Sequence, residues 1–127
     1  MGPIDVDADL RSITGAEISA VTLHYDVDLQ LCDPQDPLRL DAWLKLGVPF
    51  TFVSSSGSTE VDPEVPSTME PCWRLLRKQI TSAVADHDLN LTIELDDGSR
   101  ISVARSALYE AWELRGKGVD GVLAGPT

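Results

Sequence analysis

Apolar and polar residues alternate along two stretches of the chain. Val27, Leu29 and Leu31 are interleaved with Asp28 and Gln30, and Leu89, Leu91, Ile93 and Leu95 with Asn90, Thr92 and Glu94. A period of two puts neighbouring side chains on opposite faces of a strand, so both stretches predict sheets with one buried and one wet face. Asp97-Gly98 supplies the positive backbone angles of a tight hairpin, which predicts antiparallel pairing of Leu89–Leu95 with Arg100–Ala104. Asp86-His87-Asp88 reads as the turn between Ile80–Ala85 and Leu89–Leu95, and Tyr25-Asp26 as its counterpart earlier in the chain.

The two stretches belong to a repeat. Ile18–Leu31 (ISAVTLHYDVDLQL) returns 62 residues later as Ile80–Ile93 (ITSAVADHDLNLTI). Ile18/Ile80, Asp26/Asp88 and Leu29/Leu91 are identical, while Ser19/Thr81, Val27/Leu89, Asp28/Asn90 and Leu31/Ile93 keep chemical type. The following segments also correspond: Asp33-Pro34 and Asp36-Pro37 stand opposite Asp96-Asp97-Gly98, and Leu38/Leu40 and Ile101/Val103 resume the alternation. Such a repeat predicts two copies of one supersecondary unit over a shared core. The expected fold class is α+β, mostly antiparallel sheet. It consists of two three-stranded meanders (residues 16–42 and 78–104), with one short helix between them, closing as a sandwich or a barrel. A single domain over residues 1–127 is expected, with residues 1–9 as a mobile tail.

The segment between the units is read from its punctuation. Val48, Phe50 and Phe52 predict a strand returning through Thr59–Val61, with Ser54-Ser55-Ser56-Gly57-Ser58 as either a polar turn or a flexible linker. Asp62-Pro63 and Val65-Pro66 stop the strand. Ser67 and Glu70 have capping-box spacing, Pro71 fits a first turn, and Trp73, Leu76 and Ile80 form a helical stripe, predicting a helix over Thr68–Lys78. A further short helix is expected from Ser106, and strands at Trp112–Leu114 and Val119–Leu123.

Composition narrows the partners. The 127 residues hold 21 Asp and Glu against 10 Lys and Arg, a net charge of −11. This argues against nucleic acid and against an anionic membrane surface, both of which call for clustered basic residues. Residues 1–70 carry 13 acidic and 3 basic side chains, and residues 71–127 carry 8 and 7. The excess therefore sits in the first unit and the loop after it, as a solubilising surface or as a face for a basic protein. Met1–Leu10 has no basic and apolar leader pattern, and no apolar run approaches the roughly 18–20 residues of a membrane helix, so a cytoplasmic protein is expected. Cys32 and Cys72 lack metal-ligand spacing and are expected as free thiols.

Little in the chain carries chemistry. Gly116-Lys117-Gly118-Val119-Asp120-Gly121 matches a dinucleotide fingerprint, but too few residues follow for the helix and parallel strand that the motif requires, so it reads as a turn between strands. The serine run has no nucleophile-elbow pattern. Cys72, beside Trp73 and Arg74, is read either as an activated thiol at a helix start or as core packing, the commoner fate. The three tryptophans are expected to anchor the core, with Trp43 the best candidate for partial exposure. His24, Asp26, His87 and Asp88 occupy matching places in the two units and would form a metal or general-base site if the corners converged. The competing reading is hairpin corners stabilised by aspartate side chains.

The chain resembles an uncharacterised bacterial family of small β-rich domains of unknown function, best represented in actinobacteria. The likeness is carried by Val21–Leu31 with Tyr25, Pro49-Phe50-Thr51, Asp62-Pro63-Glu64, Asp97-Gly98-Ser99 and Tyr109–Gly116, over about residues 10–124. It implies the fold and offers no catalytic residues. The function expected is thus a non-enzymatic cytosolic binding protein, possessing no catalytic or cofactor site and resembling immunity proteins in neutralising a basic partner. Asp26, Asp28, Asp33, Asp36 and Asp41 would meet that partner, with Trp43 as aromatic anchor. The alternatives are a metal-dependent or small-molecule enzyme at the His24/His87 and Asp26/Asp88 corners, and a homodimer formed through sheet edges.

Overall fold

A computed structural model describes residues 5–126. Helix α1 (Val6–Ser12) is followed by β1 (Glu17–Leu23), β2 (Val27–Cys32), β3 (Asp41–Leu46), β4 (Phe50–Ser54) and β5 (Gly57–Val61). Two short 3₁₀ segments, Pro66–Thr68 and Glu70–Leu75, lead into β6 (Ile80–Ala85), β7 (Leu91–Leu95), β8 (Arg100–Val103), β9 (Trp112–Lys117) and β10 (Val122–Ala124). The strands form two antiparallel five-stranded sheets, ordered β1-β2-β3-β9-β10 and β5-β4-β8-β7-β6. The inward faces of both sheets, with Leu10, Ile13, Cys72 and Leu75 from the helical segments, make one apolar core. The α+β class and the two meanders are borne out, but the third strand of the first meander runs over Asp41–Leu46 and not through Leu38 and Leu40, where Leu38 is exposed in a turn. The sheets do not close, so the barrel alternative is set aside.

Each meander ends in a strand that needs a neighbour, and the neighbour comes from the other copy. Hairpin β4–β5, which follows the first meander, pairs with β8 of the second, and hairpin β9–β10 pairs with β3 of the first. The two crossing connections touch where Gly47 donates its N–H to the Ala111 carbonyl at 2.9 Å. A Cβ at Gly47 would lie 2.8 Å from the Glu110 carbonyl oxygen, so the crossing requires glycine there.

The copies meet about an internal twofold. Glu17 bridges Gln79, and around them Ile18 N–H bonds the Lys78 carbonyl while Ile80 N–H bonds the Ala16 carbonyl. One step outward, Gly15 N–H bonds the Ile80 carbonyl and Arg77 N–H bonds the Ile18 carbonyl. Each strand is bulged at the same place, between Ile18 and Ala20 and between Ile80 and Ser82. Ser19 and Thr81 hydroxyls span these bulges to the carbonyls of Gln30 and Glu94. Gln30 therefore matches Glu94, and the register sets Val27 against Leu91 and Leu29 against Ile93. The direct 62-residue alignment slips by two after the first turn, because residues 86–90 form a longer loop than residues 24–26. The identities Asp26/Asp88 and Leu29/Leu91 are out of register.

Four expectations need correction. Residues 5–9, read as tail, belong to the α1 region, since Asp5 caps the helix through Ala8 N–H and Leu10 is buried; residues 1–4 lie outside the described residues. Asp9 is also buried, and its carboxylate accepts the N–H groups of Asp120 and Gly121 at 2.8 and 2.9 Å. Those donors lie in the glycine-rich turn, which joins β9 to β10 as expected, and the strand read over Val119–Leu123 begins only at Val122. The α-helix expected over Thr68–Lys78 is instead the pair of 3₁₀ segments. Leu76 is extended and Arg77 has φ of 73°, so the chain leaves the helical region before Lys78. Ser67 makes no cap; Thr68 Oγ1 accepts Asp62 N–H at 2.8 Å and braces the bend. From Ser106 there is no helix, and the Ser106 hydroxyl accepts the N–H groups of Leu108 and Tyr109 in an irregular turn.

Arg77 occupies the place that Gly15 holds in the other copy, where φ is 89°. The left-handed region costs a side-chain-bearing residue roughly 1 kcal/mol, so Arg77→Gly is expected to be neutral or stabilising by up to about 1 kcal/mol, and Gly15→Ala destabilising by about that amount. Urea denaturation of both variants checks this. Asp9→Ala removes the acceptor of two part-buried N–H groups and is expected to lower stability by about 1–2 kcal/mol in the same assay.

Candidate functional site

The outer face of the first sheet is built in three rows. Asp28, Lys45 and Glu113 face one another across β2, β3 and β9; Gln30, Trp43 and Arg115 form the next row, and Cys32, Asp41 and Lys117 the last. Three of the residues expected to bind a partner, Asp28, Asp41 and Trp43, therefore share one face. Because β9 comes from the nearly neutral half of the chain, it brings Arg115 and Lys117 into this face. The acidic half of the sequence does not become an acidic sheet.

At the end of that face stands the β1–β2 turn. Asp26 lies 3.3 Å from Lys45 Nζ and 3.9 Å from His24 Nδ1, and His24 Nε2 lies 2.9 Å from Asp28 Oδ2. Two clefts flank the turn. One, about 430 Å³, is lined by Asp26, Lys45, Leu108, Tyr109, Glu110 and Glu113 among others. The other, about 530 Å³, lies between His24-Tyr25 and the 3₁₀ segments, with Glu64, Pro66, Glu70 and Trp73 on its walls. A third and smaller hollow, on the sheet face, holds Asp28, Trp43, Lys45, Glu113 and Arg115.

The aromatic residues divide sharply between core and clefts. Of three Trp, two Tyr and two Phe, Trp112, Phe50 and Phe52 are buried. The remaining four are Tyr25 (83% exposed), Tyr109 (65%), Trp73 (57%) and Trp43 (36%), and every one of them lines one of these three hollows. Partial exposure of Trp43 was expected, and it follows from the β3 alternation that turns Ala42 and Leu44 inward. That of Trp73 was not: the helical stripe placed it inward, whereas the 3₁₀ geometry turns Trp73 and Leu76 out and Cys72 and Leu75 in. Tyr109 belongs to an irregular loop that carries no periodic signal.

The other expected residues have different roles. Asp33 organises the β2–β3 loop, accepting the N–H groups of Gln35 and Asp36 and the Arg39 guanidinium. The Arg39 hydrogen bond first, and then the Gln35 N–H, hold its carboxyl below the usual range. Asp36 is exposed in the same loop, and Asp41 Oδ1 accepts from Gln30 Nε2 at 3.0 Å. The His24 and His87 corners do not converge. β1 and β6 run antiparallel from their meeting point at Glu17 and Gln79, so each turn lies about 20 Å along its own strand in opposite directions. His87 lines a separate cleft with Asp5, Asp7 and Asp86. Asp86 there caps its own turn through Asn90 and Asp88, the aspartate-corner reading. Among the described residues no group of three His, Cys, Asp or Glu is placed to hold a metal ion.

The fold and its surface define a small, internally duplicated β-sandwich whose exposed aromatics cluster around one turn. The chain belongs to a family of unknown function, DUF6188, with residues 9–127 matched. No curated protein and no solved structure matches it significantly. Among the described residues, no helix is long and apolar enough to cross a membrane.

Cys72 lies in the core, and burial pushes its thiol up to about 11, so the packing reading holds and the activated-thiol reading falls. Cys32 is half-buried. In native protein a thiol reagent is expected to modify Cys32 and leave Cys72 until unfolding. Because the Cys72 proton is held more tightly in the folded state, its contribution to stability is full below about pH 9 and declines as pH rises toward 11. Equal modification rates for Cys32→Ser and Cys72→Ser variants would contradict this placement.

Proposed function

We propose that the chain is a non-enzymatic protein-interaction domain that captures a basic protein partner on the surface around the β1–β2 turn, acting as an immunity-type neutraliser. The observation that carries this reading is the gathering of Tyr25, Trp43, Trp73 and Tyr109 around hollows that share that turn and the adjoining sheet face. Aromatic side chains left in water without a packing role are the usual anchors of protein interfaces. The surrounding carboxylates, Asp26, Asp28, Glu64, Glu70, Glu110 and Glu113, outnumber the bases of these hollows, and the chain as a whole carries −11. This balance favours a positively charged partner and speeds its approach.

Of the acidic residues assigned from sequence, Asp26, Asp28 and Asp41 would face the partner with Trp43, and Asp36 would meet its edge. Asp33 serves the loop through Arg39 and would contribute mainly by holding Asp36 in place. The reading includes a cytoplasmic, actinobacterial setting, in keeping with the family resemblance. The enzyme alternative needs His24 and His87 in one site, and they lie far apart; the carboxylate partners of His24, Asp26 and Asp28, belong to the turn that would face the partner.

The test is affinity capture by the immobilised full-length chain, with the products of neighbouring genes assayed directly. A single partner retained at low salt, released at high salt, and lost by Asp26→Lys with Trp43→Ala is the expected result. Failure to retain any neighbour product, or retention indifferent to salt and to both substitutions, would overturn the reading.

A further inference from the structure

The duplicated fold builds the same cleft twice, and the two copies differ in chemistry. In the first copy it lies between the β1–β2 turn and the 3₁₀ segments, and in the second between the β6–β7 turn and α1. The internal twofold fixes the correspondence. Leu10 and Cys72, five positions before the matched residues Gly15 and Arg77, are both buried, as are Ile13 and Leu75, two positions before them. Trp73 therefore stands where Arg11 stands in the other copy, and both are exposed. Counting outward from Leu23 and Ala85, Tyr25 stands where His87 does.

The second copy makes the scaffold with Arg11 and His87 at these places, without Trp or Tyr. The fold does not need Tyr25 or Trp73 in the first copy, where exposing them to water forfeits the burial that aromatic side chains ordinarily gain. A reason outside folding is required. Met69 forms a buried apolar base in this cleft, and Glu64 and Glu70 stand at its walls. Aromatic faces, an apolar base and two carboxylates suit a cation carried on a long apolar stem.

We propose that this cleft, between Tyr25 and Trp73, is the anchor pocket of the interaction surface and receives an arginine side chain from the basic partner. The inference rests on the protein-binding reading above and deepens it. A guanidinium stacks on an aromatic face and presents N–H groups in the plane to carboxylates, which an ammonium does less well. Glu70 on the cleft wall already has a guanidinium neighbour, with Arg74 Nη2 3.5 Å from its Oε2. Arg74 therefore competes with an incoming arginine for Glu70. The volume, about 530 Å³, lies within the range of ligand clefts, roughly 300–1,000 Å³, and has room for the arginine and its neighbours in the partner's chain.

The test titrates the full-length protein with a capped arginine peptide, its citrulline counterpart and its lysine counterpart, following the Trp73 indole N–H resonance and the Tyr25 amide. The arginine peptide is expected to shift both at millimolar concentration or below, with the citrulline peptide about tenfold weaker and the lysine peptide between them. Glu64→Gln with Glu70→Gln should weaken arginine binding, and Arg74→Ala should tighten it about twofold. Trp73 and Tyr25 are exposed, so Trp73→Ser and Tyr25→Ser should fold and lose binding. Equal binding of arginine and citrulline peptides, shifts confined to the His87 cleft, or no shift with any peptide each overturns the proposal. Partner capture that survives Trp73→Ser but not Trp43→Ala would sink this pocket and leave the protein-binding reading standing. Arginine-peptide binding at Trp73 without any captured protein would do the reverse.

Discussion

Four backbone hydrogen bonds between Gly15–Ile18 and Arg77–Ile80 hold the two halves of this protein in one arrangement. They are reciprocal, so each half supplies the donors and acceptors that the other lacks. From that point β1 and β6 run in opposite directions, which sets the two sheets, the two distal turns and the two clefts on opposite sides of the internal twofold. The geometry places Tyr25 beside the 3₁₀ segments and His87 beside α1. A metal site shared by the two histidine corners is ruled out by the same geometry.

The exchange of hairpins is the second constraint. A three-stranded meander with one apolar face has a free third strand, and each half resolves this by lending β4–β5 or β9–β10 to the other. Burial then makes the halves interdependent: Trp112 of β9 sits in the shared core, with its indole N–H on the Leu89 carbonyl at 2.9 Å. The exchange also redistributes charge, placing Arg115 and Lys117 beside Trp43 and Asp41. An electrostatic map drawn from the linear sequence would miss this mixing. The negative potential is left to the turn and its clefts, where Asp26, Glu64, Glu70 and Glu110 gather.

Duplication supplies its own comparison. Positions where both copies carry the same kind of residue, such as Ile13/Leu75 and Ser19/Thr81, serve the fold. Positions where they differ without structural consequence, such as Arg11/Trp73 and His87/Tyr25, are free for function. Gly15/Arg77 shows a third kind, a shared left-handed backbone that one copy meets with glycine and the other with arginine. The aromatic cleft is thus separated from the packing by reference to the molecule itself.

Period-two alternation in β2 and β7, the Asp97-Gly98 hairpin, the Asp62-Pro63 stop and the existence of a repeat were determined by the sequence alone. Each rests on local backbone preference or on the pleat, which neighbouring residues encode by themselves. The repeat's true register depended on a loop two residues longer in one copy, and only strand pairing exposes that. Helix α1 was hidden because it is short and two of its anchors are tertiary: Leu10 enters the shared core, and Asp9 meets a turn more than a hundred residues away. The Thr68–Lys78 stripe misled because a 3.6-residue period was imposed on a proline-interrupted 3₁₀ segment that has to reach β6. Of the candidate site, Asp26, Asp28, Asp41 and Trp43 were legible, while Tyr109 and the outward turn of Trp73 were not. Tertiary structure decided which aromatics stay in water, because that depends on what packs across from them.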